Sequence, residues 1–78
     1  MQVQIDLVER HMDLIKGSGF APLVDDLLRE AATNLDAARD ELGAGNLEGA
    51  RRAAAQSSEQ VRQARQKIEE ETQQPMRW

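Results

Sequence analysis

Two stretches of this chain repeat small and large apolar residues with a seam period of 3.5, and only four residues separate them. Val24, Leu28, Ala31, Leu35, Ala38 and Leu42 are spaced 4-3-4-3-4, and Leu47, Ala50, Ala54, Ser57, Val61, Ala64 and Ile68 are spaced 3-4-3-4-3-4. A seam of that period belongs to helices packed side by side. The link Gly43-Ala44-Gly45-Asn46 is too short for anything but an antiparallel helical hairpin. Folding it back sets Leu42 opposite Leu47, Leu35 opposite Ala54, Ala31 opposite Ser57, Leu28 opposite Val61 and Val24 opposite Ala64. Large residues meet small ones at several layers, so the helices can approach closely.

Helix punctuation extends this hairpin to a three-helix, all-α domain over residues 1–74, with helices at about 3–16, 22–42 and 47–73 and a tail at 75–78. In the first, Ile5, Val8, Met12 and Ile15 share a face that Leu7 and Leu14 widen, and Gly17-Ser18-Gly19 ends it. Pro22 suits the first turn of the second helix, Asp25 and Asp26 complement its dipole, and Gly43 stops it. Asn46 is the expected N-cap of the third helix, with Glu48 in its first turn, and Pro75 prevents extension. The first helix is expected against Leu23 and Leu27, with Phe20 plugging the corner.

The third helix is poor in large apolar residues: beyond Leu47 only Val61, Ile68, Met76 and Trp78 remain. At ~1.5 Å per residue it is also about two turns longer than the second. Its end overhangs the hairpin unless the first helix, the tail or another chain covers it. A homo-oligomer, a dimer forming a larger bundle, is the expected remedy for so thin a core.

Composition closes off several functions. Without cysteine there is no disulfide, zinc knuckle or thiol nucleophile. A net charge of −4 argues against nucleic acid as a partner. The arginines at 51, 52, 62 and 65 and Lys67 are interrupted by Glu48, Glu59 and Glu69-Glu70-Glu71 and read as a solvated helix face. MQVQIDLVER has no signal-peptide pattern, and no apolar run approaches the ~20 residues of a membrane span. A cytoplasmic protein without membrane association is expected. His11 is the only histidine and lacks the companions of a metal site. Ser18, Ser57 and Ser58 have no base partner but His11, and neither glycine loop ends in the Lys-Ser/Thr of a phosphate-binding loop. The expectation is a chain that is not an enzyme and carries no cofactor or metal.

What remains points to another protein as partner. Gln56, Gln60 and Gln63, at i, i+4 and i+7, form an uncharged polar stripe, either a docking face or a solvated flank. Ile68, Met76 and Trp78 stand at the overhanging end, where a tryptophan is either a binding anchor or folds back on the helix. These six residues are the sequence-based candidates for partner contact, and the expected function is a non-enzymatic interaction module, a small helical regulator or adaptor.

The stretch from Phe20 to Ser58, FAPLVDDLLREAATNLDAARDELGAGNLEGARRAAAQSS, resembles the central hairpin of histidine-phosphotransfer domains. In that family an Arg-Arg-Ala-Ala stretch leads into Ala-His-x-Leu-Lys-Gly, whose histidine carries phosphate between sensor kinases and response regulators. Laid on this pattern, Leu47-Glu48-Gly49-Ala50-Arg51-Arg52-Ala53-Ala54 puts Ala55 at the phosphoacceptor, and Ser57, Ser58 and Glu59 where Leu, Lys and Gly stand. The resemblance implies a non-phosphorylated docking relative that occupies a kinase or receiver surface; a relay through His11 is the competing form. By size and shape the chain is also similar to small secretion-system chaperones and phage- or plasmid-encoded inhibitors.

Overall fold

Buried residues recur every three or four positions along three successive helices, in the pattern of inward faces around a shared core. The computed structural model describes residues 2–73, so Met76, Trp78 and the rest of the tail expected at 75–78 lie outside the described residues. Helix α1 spans Gln2–Gly17, a 3-10 turn spans Ala21–Val24, α2 spans Asp25–Gly43 and α3 spans Leu47–Thr72. No strand occurs among the described residues, and the fold is all-α.

The link between α2 and α3 is a chain of satisfied backbone groups. Asn46 N–H donates to the Glu41 carbonyl at 2.8 Å and Gly45 N–H to the Leu42 carbonyl at 3.1 Å, the crossed pair of a Schellman motif. That motif needs a left-handed residue, and Gly45 supplies it with φ 80°. Asn46 then caps α3, its side-chain oxygen accepting from Gly49 N–H at 3.1 Å while its amide donates to Glu41 at 2.6 Å. One residue thus closes α2 and opens α3.

The seam register follows from that link. Ser57 Oγ donates to the Ala31 carbonyl at 2.7 Å, and Asn34 and Glu30 reach Gln60, fixing α2 antiparallel to α3. Leu28, Ala31, Leu35 and Ala38 are buried against Ala50, Ala54, Ser57, Val61, Ala64 and Ile68. The outermost expected layer does not close: Leu42 is half-buried and Leu47 is 56% exposed. Side chains lean toward the N-terminus of their helix, so Leu47, the first residue of α3, points past the end of the hairpin into solvent.

Helix α1 does not sit on Leu23 and Leu27. It packs against both α2 and α3 in an up-down-up arrangement, burying Ile5, Val8, Met12 and Ile15, and Arg39 of α2 pairs with Glu9. Leu23 remains 40% exposed, while Phe20 and Leu27 pack half-buried against the core. Leu7 and Leu14 do not widen the buried face either, being 47% and 45% exposed. At 100° per residue they lie about 120–140° from the centre of the inward stripe.

The end of α3 is covered by the chain itself. Pro22 does not start α2; it sits in the 3-10 turn, and the α-helix begins at Asp25. This turn packs against α3, and Ile68 is fully buried in the common core. No described helix is long and apolar enough to cross a membrane.

Candidate functional site

Alongside the seam, α3 presents Arg51, Ala55, Ser58 and Arg62 at 4-3-4 spacing, a second stripe on the flank nearest α1. Two of these four side chains are short, so α1 meets the flank without filling it. The result is a groove in two connected parts, of about 170 and 370 Å³, that share Val8, His11, Ser58 and Arg62. Val8 and Val61 are buried and make its floor. Gln4, Leu7 and His11 form the α1 rim at one-turn spacing.

The lining is basic although the chain is acidic. Arg51, Arg62 and the half-buried His11 border the larger part and Arg65 the smaller, with Glu59 as the acid among them. Arg62 lies 3.7 Å from Glu59, and Arg65 is held to Glu69 at 3.1 Å. The Arg62–Glu59 pair is exposed, and such a pair is worth ~0–1 kcal/mol. Apolar floor, short walls and guanidinium groups at both ends suit a side chain with an apolar body next to an acidic one. No group of three or more potential metal ligands occurs among the described residues.

Of the residues expected to contact a partner, the described four divide between the surface and the core of α3. Gln56 and Gln63 are exposed, but on the α2 flank of α3, away from the groove. Between them Gln60 is half-buried and engaged, accepting from Asn34 at 2.8 Å and donating to Glu30 at 3.2 Å. Ile68, fully buried by the chain's own core, has no surface with which to meet a partner. Met76 and Trp78 lie outside the described residues.

Arg51, Arg52, Arg62 and Lys67 are exposed, as expected of a solvated face, and the groove beside Arg51 and Arg62 exists only because α1 packs on this flank of α3 and not on Leu23 and Leu27. A usable signal was present: Ala55 and Ser58 are small residues off the seam, framed by Arg51 and Arg62 in the same 4-3-4 phase. His11 and Ser58, 47 positions apart in the chain, line one wall-to-wall section of that groove. In comparisons of the chain with family models, curated proteins and solved structures, none matches.

Proposed function

We propose that this chain is a non-enzymatic protein-interaction module, a small helical regulator or adaptor, and that it docks an acidic amphipathic segment of a partner protein in the groove between α1 and α3. The observation that carries this reading is the groove's apolar floor, Val8 and Ala54 between Arg51 and Arg62 in the larger part and Val61 in the smaller, beside the short side chains of Ala55 and Ser58. Apolar floor supplies the affinity, and the arginines select against basic and neutral segments in a molecule whose net charge is otherwise −4. Filling the groove tests it. In co-purification from the native host, Ala55→Trp and Ser58→Trp are expected to lose the partner about tenfold or more. Thr33→Trp, on the face opposite α1, is expected to keep it. Equal recovery with all three variants contradicts the reading.

A second reading keeps the likeness to phosphotransfer domains and is favoured by one observation: Ala55, where that likeness sets the phosphoacceptor, is exposed and lines the groove. The partner is then a receiver domain or sensor kinase. The same tryptophan variants distinguish the two, since only this reading expects an isolated receiver domain or kinase to bind and Ala55→Trp to abolish that binding.

A further inference from the structure

The outer side of α1, turned away from the core, carries a second seam. Val3, Leu7, Arg10 and Leu14 are spaced 4-3-4, the phase of a helix pairing with a helix, and Val3, Leu7 and Leu14 are exposed by 80%, 47% and 45%. At 100° per residue the four fall within a sector of about 60°. Exposed apolar residues scattered singly need no explanation, but three in one heptad phase on one helix do. Asp6 and Arg10 border the same shallow cleft as Val3 and Leu7. They stand one turn apart, the spacing at which an ion pair within a helix is available, yet neither forms one with any described residue.

We infer that this seam pairs two copies of the chain, α1 against α1 in antiparallel orientation, with Asp6 of each copy meeting Arg10 of the other. A two-fold axis between positions 8 and 9 brings Val3 level with Leu14 of the partner subunit and Leu7 level with Arg10 of the partner subunit. The guanidinium then reaches Asp6, the residue before Leu7, and the contact repeats itself across the axis as an isologous interface must. A parallel pairing is excluded by charge, because it stacks Arg10 on Arg10. The seam's apolar and charged members are thus complementary to themselves, which a surface evolved for an unrelated partner has no reason to be. Asp13 lies at the margin, level with Gln4 of the partner subunit. One 16-residue helix per copy makes a small contact, so the dimer is reversible and concentration-dependent. Leu7 also borders the α1–α3 groove, whereas Val3, Asp6, Arg10 and Leu14 do not, so the seam and the groove meet along one residue.

Sedimentation equilibrium of the full chain up to about 1 mM, with helicity checked by circular dichroism, tests it. The mass is expected to rise from 8.7 kDa toward twice that value. Asp6→Arg and Arg10→Asp alone each set like charges face to face and are expected to weaken association about tenfold. The double variant Asp6→Arg/Arg10→Asp is expected to restore it. A chain that stays monomeric throughout overturns the inference. So does a dimer indifferent to the single substitutions, or one that the double variant fails to recover.

Discussion

Ser57 has no solvent exposure, and its hydroxyl donates to a carbonyl of the facing helix at 2.7 Å. Two properties suit it to this place: its volume is close to that of the alanines elsewhere in the seam, and its polar atom finds a partner in the facing helix. Ala54 and Ala64 fill other layers on the same side of α3, opposite Leu35 and Val24 on α2. A larger residue at 57 has to push the helices apart. Ser57→Leu is therefore expected to lower stability by about 1–3 kcal/mol in urea unfolding, with Ser57→Ala costing about 1 kcal/mol or less. This residue was legible from sequence because its neighbours in the seam are fixed by period alone. Gln60 was not, because its amide is taken up by Asn34 and Glu30, side chains whose reach across the hairpin no spacing rule encodes.

At the scale of elements, the turn between α2 and α3 separates two glycines with opposite requirements. Gly43 is the last residue of α2, its conformation is not left-handed, and a Cβ there meets nothing within 4 Å. Gly45 has φ 80° and carries the Schellman motif. Gly43→Ala is expected to raise stability by about 0.4–1 kcal/mol by restricting the unfolded chain, whereas Gly45→Ala lowers it by about 1 kcal/mol through left-handed strain. Thermal melts of the two variants should move in opposite directions. The hairpin and its caps were legible because heptad phase and loop length leave one solution. The position of α1 was not: its sequence offers two apolar stripes, Ile5-Val8-Met12-Ile15 and Val3-Leu7-Leu14, and only packing decides which one faces in. The 3-10 turn at Ala21–Val24 was hidden by Pro22, which fits the first turn of either helix type.

The whole molecule is an elongated bundle of 41 × 21 × 16 Å, close in length to the ~39 Å of α3 alone. The third helix, thin in large side chains, is completed from within: the α2 seam, α1 and the 3-10 turn cover it as far as Ile68. The surfaces proposed for contact therefore lie not at the end of α3 but on its α1 flank, where short side chains leave a groove, and on the outer seam of α1. The groove arises only where α1 meets α3, whereas the outer seam lies on one helix and is told from the core-facing stripe only by packing. The claim that the α1–α3 groove is the docking surface is tested most directly by site-specific photocrosslinking in the native host. A photoreactive residue is placed at Ser58, in the groove, or at Gln63, on the α2 flank of the same helix. The account predicts one discrete adduct with a partner protein from position 58 and none from position 63. An adduct from position 63 with none from position 58 would contradict it.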